Sequence, residues 1–210
     1  MAGAPMVVAE GAMVTADGAT LLPPTTVRIG AGECWCVTGG NGAGKTTLLR
    51  VLLGARRLTA GSCSVLGEAP DPTDRRYRRL VASLVEPIPI ARDMTVGEQI
   101  TLVAASWYGD TPDTVGRTEA VVERLGLASS TRRFPHQLSS GQAQLFSLAM
   151  TCVRPADLVL LDEPERHLDR LHLARVADLI AERAARGTAF LLATHDPVLI
   201  EACHGRVELV

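Results

Sequence analysis

The sequence predicts an α/β protein, in which a doubly wound sheet follows an N-terminal antiparallel β-layer and carries an inserted helical subdomain. Three observations predict this class. A glycine-rich loop joins an apolar strand to a helix at Gly39–Thr46, and Thr95–Thr151 has a helical pattern without a strand. After Asp157 strands alternate with helices, as in parallel sheets. The 210 residues fit a single domain, 1–210, with the helical subdomain at about 87–151.

Composition and charge exclude several classes of function. The formal net charge of −2 argues against a nucleic-acid-binding surface, so no nucleic-acid partner is expected. The sequence has no apolar run long enough to span a membrane and no signal-peptide pattern at its N-terminus. Its five cysteines, an odd number, favour reduced thiols in a cytoplasmic protein, and we expect Cys34 and Cys36 to fill the core from one face of a strand.

The elements around the glycine-rich loop follow from turn residues and apolar runs. Residues 6–38 predict short strands separated by turns, which form the antiparallel layer leading into the loop. Beyond the helix that follows the loop, the sequence predicts a short strand, a short helix and an apolar strand. The expected boundaries are Met6–Ala9, Ala12–Thr15 and Val27–Ile29 in the layer, then Gly61–Gly67, Asp71–Arg79 and Leu80–Val85.

The segment Val37–Leu53 organises the chain. It contains the P-loop pattern G-x-x-x-x-G-K-[ST], followed by an apolar helix that Gly54 can end in a left-handed conformation. Glycines let successive backbone N–H groups point at phosphate oxygens, and the helix N-terminus adds partial positive charge. Lys45, the only lysine in the protein, supplies a compact charge for the β- and γ-phosphates, and the Thr46 hydroxyl can ligate Mg²⁺. The predicted phosphate-binding residues are Gly39, Gly40, Asn41, Gly42, Ala43, Gly44, Lys45, Thr46 and Thr47.

The helical block contains three predicted helices. Thr95–Glu98 has the form of a capping box and begins a helix that runs to about Tyr108. A second helix, Asp113–Leu125, ends at Gly126. Ser139–Gln142 begins the third, and a serine followed by glycine at a helix start can also bind an anion. In isolation this last pattern is more often only a helix cap.

An acidic pair follows a buried strand. Leu158–Leu161 is apolar on both faces, as in a central parallel strand, and Asp162 and Glu163 come at its carboxyl end, where open α/β sheets bind ligands. Asp162 can hold Mg²⁺, and Glu163 can act as general base for a water that attacks the γ-phosphate. The competing interpretation is that Asp-Glu-Pro only begins a helix, with Pro164 in its first turn.

The last part of the chain adds a histidine at the same edge. A helix at about Leu168–Arg186 is followed by the strand Ala189–Thr194, a short helix after Pro197 and a closing strand, Arg206–Leu209. His195 directly follows the first of these strands, where it could hydrogen-bond a γ-phosphate. A lone histidine after a strand is otherwise more often structural.

Taken in order, these motifs resemble those of the ATP-binding subunits of ABC transporters over essentially the whole chain. The resemblance identifies a Walker A loop, a segment that opens the helical subdomain, the signature sequence, Walker B with its catalytic glutamate, the D-loop and the switch histidine. Walker A and Walker B occur in many NTPases, so the signature sequence is the specific element. The matching residues, in that order, are Gly39–Thr46, Met94–Glu98, Leu138–Gln142, Leu158–Glu163, His167–Asp169 and His195.

The resemblance implies an ATP hydrolase with ATP and Mg²⁺ as cofactors. Two ATP-binding domains, in a homodimer or in a heterodimer with a paralogue, would close head to tail with each ATP between them. Closure would drive separate transmembrane permease subunits at the inner face of the cell membrane, and we expect export as the direction. The catalytic residues would be Lys45, Glu163 and His195, the metal ligands Thr46, Asp162 and Glu86, and the residues covering the other chain's ATP Ser139, Ser140, Gly141 and Gln142.

Several positions depart from the family pattern. No Tyr, Phe or Trp precedes Trp35, so the aromatic side chain that usually stacks on adenine is missing. Glu86 stands where the family has the Q-loop glutamine, and its carboxylate could still ligate Mg²⁺ but adds charge that could slow turnover. Ser140 replaces a signature glycine, and His167 takes a position that is usually small. These departures leave open a second function: a slow or inactive nucleotide-binding subunit with a regulatory or structural role.

Overall fold

The computed structural model describes residues 5–210 and contains an antiparallel and a parallel sheet with helices around them. Two short 3₁₀ turns, Ala128–Ser130 and Pro135–Gln137, precede the last helix of the helical block. In chain order the strands and α-helices are β1 (Val7–Ala16), β2 (Ala19–Ile29), β3 (Cys34–Gly39), α1 (Lys45–Leu52), β4 (Ala60–Val65), α2 (Arg75–Leu80), β5 (Val81–Leu84), α3 (Val96–Tyr108), α4 (Pro112–Arg124), α5 (Ser140–Cys152), β6 (Leu158–Asp162), α6 (Arg170–Ala185), β7 (Ala189–Ala193), α7 (Pro197–Glu201) and β8 (Gly205–Leu209).

The antiparallel sheet has the order β2-β1-β4 and differs from the predicted layer in two strands. β1 is continuous, so the expectation of two separate strands at Met6–Ala9 and Ala12–Thr15 was wrong. Gly11 has a φ of +55° and the pairing register shifts beside it, which lets one strand bend without ending. β2 is 11 residues long, whereas the sequence predicts only Val27–Ile29. It contains two prolines, which are tolerated because it is an edge strand.

The parallel sheet has the order β5-β6-β7-β3-β8, and each pair of neighbouring strands in it is parallel. Successive residues of β6 face opposite sides: Leu158 and Leu160 pack with α1 and the antiparallel sheet, whereas Val159 and Leu161 pack with the helical block and α6. This arrangement confirms the predicted doubly wound α/β fold. Because parallel strands point the same way, the carboxyl ends of β3, β6 and β7 meet at one edge.

Three helices, α3 to α5, lie between β5 and β6, as the sequence predicts. The capping box of α3 is present, because the Thr95 side chain accepts a hydrogen bond from Glu98 N while the Glu98 carboxylate accepts one from Thr95 N. Gly126, with a φ of +71°, follows α4. Ile100 of α3 and Phe146 of α5 are buried in the core on that face of the sheet. The subdomain boundaries at about 87–151 stay a prediction.

The cysteines are free thiols. Cys34 and Cys36 are buried in the core, as the sequence predicts. The Sγ atom of Cys34 lies 3.5 Å from that of Cys203, and burial raises the pKa of the Cys36 thiol to about 12. Such a thiol stays protonated and unreactive at neutral pH. Across residues 5–210, no helix is both long and apolar enough to cross a lipid bilayer.

Candidate nucleotide-binding site

The glycine-rich loop lies between β3 and α1, at the carboxyl edge of the parallel sheet. Gly39 and Gly44 have φ values of +147° and +105°, which only glycine adopts without strain. A Cβ atom at these positions would lie 2.5 and 2.7 Å from backbone carbonyl oxygens of neighbouring segments. Gly40 and Gly42 instead face open space, with no atom within 4 Å of the place a Cβ would take. The loop is therefore held firmly at both ends and open in its middle.

Lys45 is folded back over this loop. Its Nζ atom donates hydrogen bonds to the carbonyl oxygens of Gly39 at 2.7 Å and Gly40 at 3.0 Å. In α1, the N–H of Leu48 bonds to the carbonyl of Gly44, and the three amides before it belong to the first turn, which has no intrahelical acceptors. The ammonium group and the free N–H donors of the helix thus lie at the mouth of one loop. Their combined positive charge suits a phosphate.

The Thr46 hydroxyl donates a 2.6 Å hydrogen bond to Asp162 Oδ2 and so joins the loop to the end of β6. Burial is the largest influence on the pKa of Asp162 and raises it. The Thr46 hydrogen bond and the Lys45 charge oppose this rise, and the Glu163 charge adds to it. A nearby cation would stabilise the ionised carboxylate. Hydroxyl and carboxylate oxygens are the hard ligands that Mg²⁺ takes together with phosphate and water, so these two residues fit Mg²⁺.

A cavity of about 300 Å³ brings the predicted loop and acidic residues together. It is lined by Leu21, Asn41–Thr47, Asp162 and Glu163. As far as the structure describes the chain, this lining has no aromatic side chain, and Leu21 forms its aliphatic wall. The cavity therefore brings the loop amides and Lys45 together with the oxygens of Thr46 and Asp162 and the Glu163 carboxylate within one chain.

Glu163 begins a turn that leaves β6. It has a φ of +46°, and its N–H donates to the Ala193 carbonyl at the end of β7 over 2.8 Å. From α5, Gln144 Nε2 donates to the carbonyl oxygens of Glu163 at 3.3 Å and Pro164 at 3.2 Å. Residues 163–167 form turns and α6 begins only at Arg170, so the interpretation that Asp-Glu-Pro starts a helix is wrong.

His195 follows β7 and its side chain is 74 % exposed. It is held by Glu165, a residue that the sequence reasoning missed. Glu165 Oε1 accepts hydrogen bonds from Thr194 Oγ1 at 2.7 Å and from His195 N at 3.2 Å, and His195 Nδ1 lies 3.5 Å from the same oxygen. An acidic residue in a polar turn carries no sequence signal that it is buried.

The segment Ser139–Gln142 begins α5 with a second capping box. The Ser139 side chain accepts from Gln142 N at 3.3 Å, and the Gln142 side chain accepts from Ser139 N at 3.1 Å. None of these residues lines the 300 Å³ cavity of the same chain. Gly141 packs against the turn after β6, where a Cβ would lie 2.7 Å from the His167 carbonyl oxygen. Within one chain, the structure therefore does not bring this segment to the loop, and its contact with the other chain's ATP stays a prediction.

Glu86 is joined to Arg50 of α1, with 2.7 Å between Glu86 Oε1 and Arg50 Nε. The Glu86 side chain is 57 % exposed and lines a cavity beside the loop, which also borders Asp162 and Glu163. The sequence reasoning did not foresee Arg50 as its partner. As a metal ligand, Glu86 would have to leave this arginine, and that role stays a prediction.

Together, the loop, the Thr46–Asp162 pair and the carboxyl-edge cavity define a nucleotide-binding domain of the P-loop type. Residues 22–166 match the family model described as ABC transporter. The chain therefore belongs to the ABC transporter family, as an ATP-binding domain.

Curated relatives agree with this assignment. The lipoprotein-releasing system ATP-binding protein LolD 2 of Rhodospirillum rubrum is 33 % identical over 189 residues, which cover 87 % of this chain and 82 % of that protein. The pyoverdine export ATP-binding/permease protein PvdT of Pseudomonas putida is 31 % identical over 88 % of this chain and 29 % of that protein. The methionine import ATP-binding protein MetN 2 of Salmonella typhimurium is 30 % identical over 88 % of this chain and 56 % of that protein. The chain thus spans less than a third of PvdT but most of LolD 2.

Solved structures show the same fold. A structure described as the ATP-binding subunit of an ABC transporter superposes with a TM-score of 0.85 at 25 % identity, over 97 % of this chain and 85 % of that chain. A dimeric ATP-binding cassette, MJ0796, bound to ADP and phosphate, gives a TM-score of 0.84 at 19 % identity, over 97 % of this chain and 94 % of that chain. The second likeness is one of fold alone.

Proposed function

We propose that this protein binds and hydrolyses Mg²⁺-ATP as the motor subunit of an ABC transporter. The observation that carries this proposal is the Thr46–Asp162 hydrogen bond, because it joins the two predicted metal ligands at a cavity that Lys45 and Glu163 also line. Membership of a family of ATP-binding domains supports the same nucleotide. Lys45, the two predicted metal ligands and the predicted general base all belong to this chain.

The glycine-rich loop and Lys45 bind the phosphates. The Nζ atom now bonds to two carbonyl oxygens, which carry only partial charge. Phosphate oxygens are stronger acceptors, so on binding the ammonium exchanges carbonyls for the β- and γ-phosphates. The free amides at the start of α1 and the open middle of the loop supply further donors.

Hydrolysis depends on the acidic end of β6. Thr46 and Asp162 would hold Mg²⁺, which when bound neutralises charge on the phosphates. Glu163 takes a proton from the water that attacks the γ-phosphate, and its position on the cavity wall supports this role. His195, exposed at the same edge, donates a hydrogen bond to the γ-phosphate.

A second ATP-binding domain completes the site. Ser139 and Ser140 are exposed at the N-terminus of α5, while Gly141 and Gln142 are half-buried. None of the four lines its own chain's cavity, which supports a role toward the ATP of a partner. Two copies, or this chain and a paralogue, would close head to tail so that each ATP is covered from both sides. Hydrolysis would then reopen the dimer.

Separate transmembrane permease subunits are the proposed partners, and the protein would work on the inner face of the cell membrane. We propose export as the direction, supported by relatives that are named for export, PvdT and the macrolide protein MacB of Bradyrhizobium diazoefficiens. MetN 2, named for import, is similar to the chain to the same degree, so the direction has to be measured by transport into inverted vesicles.

The deciding experiment uses Glu163→Gln. The amide keeps the shape of the side chain but cannot accept the proton, so the variant should hold ATP without cleaving it. With Mg²⁺-ATP it should run as a dimer in gel filtration, whereas the wild-type protein should release phosphate and return to monomers. A variant that stays monomeric while binding ATP would contradict the head-to-tail mechanism.

The alternative function makes a different prediction for the wild-type chain. A regulatory or structural subunit would bind ATP without turnover, and a permease added in proteoliposomes would not stimulate phosphate release. The observation that favours this alternative is Glu86, which stands at the Q-loop position and is paired with Arg50 beside the site. Phosphate release that rises with a co-purifying permease would exclude it.

A further inference from the structure

We propose that Glu165 is a positioning residue for ATP hydrolysis, which orients His195 toward the γ-phosphate. The inference rests on the proposed function, and it adds a residue to which the motif comparison assigns no role. It starts from a carboxylate whose side chain is only 9 % exposed, inside a turn of polar residues.

One oxygen of this carboxylate contacts the two residues that follow β7. Oε1 accepts the Thr194 hydroxyl and the His195 amide, and it faces the Nδ1 atom of the imidazole at 3.5 Å. Thr194 is completely buried, and its Oγ1 in turn accepts from Asp196 N, so the segment that carries His195 is fixed on both sides. The imidazole has no other ion-pair contact among residues 5–210.

The other oxygen shows that the carboxylate does not serve packing alone. Oε2 is buried and has no hydrogen-bond partner in the part of the chain described here. Within that part, Glu165 also has no lysine or arginine nitrogen within 4.0 Å. A buried carboxyl group with one unsatisfied oxygen costs free energy, so an apolar residue would serve a purely structural turn better.

The contact with Glu165 can orient the imidazole ring of His195. An imidazole nitrogen that donates to a carboxylate carries the proton, and such a hydrogen bond selects the tautomer and the plane of the ring. At 3.5 Å from Glu165 Oε1, His195 Nδ1 is at ion-pair distance, so we infer that it takes this role when the site is engaged. With Nδ1 turned to Glu165, Nε2 lies on the far side of an exposed ring. The turn itself starts at Glu163, so the proposed general base and the support of His195 lie two residues apart in one turn that is hydrogen-bonded to β7 and α5.

A double-mutant cycle on the full-length protein tests this role. We expect Glu165→Ala to lower kcat about tenfold with little change in the KM for ATP, since mispositioning a group costs rate more than binding. Glu165→Gln keeps an acceptor oxygen, so its kcat should lie between that of the wild type and that of Glu165→Ala. If Glu165 acts through His195, Glu165→Ala should lower kcat by less than twofold in a His195→Ala background. Full additivity would overturn the proposal.

A second measurement does not depend on hydrolysis. In protein with ¹⁵N-labelled histidine and no nucleotide, the His195 signals, assigned with His195→Ala, should report a proton on Nδ1. Glu165→Gln and Glu165→Ala should shift these signals, and the matched change Glu201→Gln, at an exposed glutamate of α7, should not. Unchanged His195 signals in both Glu165 variants would refute the contact. If the wild type fails to hydrolyse ATP, the proposed function fails while this spectrum still decides the role of Glu165.

Discussion

Substitution of Gly141 by alanine tests how the N-terminus of α5 packs against the turn after β6, residues 163–167. A Cβ at this position would lie 2.7 Å from the His167 carbonyl oxygen, which belongs to the backbone. This is roughly 0.7 Å short of ordinary van der Waals contact, so α5 or the turn has to move. His167 already has a left-handed φ of +62°, which leaves the turn few alternatives. Overpacking of this kind costs about 1–3 kcal/mol.

Gly116→Ala is the matched control. Gly116 lies in the middle of α4, and no atom lies within 4 Å of the place where its Cβ would be. Alanine should therefore stabilise that helix by about 0.5–1 kcal/mol, because it lowers the entropy lost on folding. Since about 1 kcal/mol shifts Tm by roughly 2–4 °C in a chain of this size, Gly116→Ala should raise Tm by about 1–4 °C. Gly141→Ala should lower it by about 4–8 °C for a cost of about 2 kcal/mol.

Thermal unfolding and ATP hydrolysis together decide the outcome. Gly141→Ala should retain ATP binding, since Lys45 and the loop are untouched, but lose kcat because the displaced turn carries Glu163. A Tm for Gly141→Ala equal to that of Gly116→Ala would show that the helix tip is not packed against the turn. Unchanged kcat despite a lower Tm would show that the contact matters for stability only.

Two further substitutions test the loop and the Q-loop position. Lys45→Ala should weaken ATP binding at least about tenfold and abolish hydrolysis, measured by calorimetry and phosphate release, because it removes a charge-assisted donor. Lys45→Arg should not restore activity, since a planar guanidinium does not replace a compact ammonium, and full activity in either variant would contradict the assigned role. Glu86→Gln should raise kcat by removing charge beside the phosphates, at a stability cost of no more than about 1 kcal/mol because the ion pair is exposed. Arg50→Ala breaks the same ion pair but keeps the carboxylate, so an equal rise in that variant would assign the effect to the pair, and a drop in kcat of Glu86→Gln would show that the acid is useful.

The sequence predicts the fold where one local rule acts without competition. Leu158–Leu161 reads as a central strand because both faces are apolar, and the structure places all four residues fully in the core. The capping boxes at Thr95 and Ser139 follow equally directly, since cap and partner are three residues apart. The continuous β1 could not be predicted this way, because Gly11 reads as a turn and only pairing with two neighbours keeps the strand intact.

For the candidate site, the motifs name the residues but not their partners. The pairing of Thr46 with Asp162 spans 116 positions, yet it follows from a loop and a strand end that share one edge. The contacts of Glu165 and Glu86 do not follow, because both are acidic residues in polar segments. Whether such a side chain is buried under β7 or reaches an arginine depends on tertiary packing that no local pattern encodes.

The turn after β6 is where the parts of this site are coupled. Gln144 of α5 donates to its first two carbonyls, Gly141 packs against His167, and Glu165 holds the segment that bears His195. The turn therefore touches the helical block on one side and the end of β7 on the other. A displacement of α5 relative to the sheet would act both on Glu163, the predicted general base, and on the segment that bears His195, since the first belongs to the turn formed by residues 163–167 and the second contacts it. In this chain, the approach of a second domain to the N-terminus of α5 would thus act on the γ-phosphate through the backbone of the turn, in addition to any direct contact.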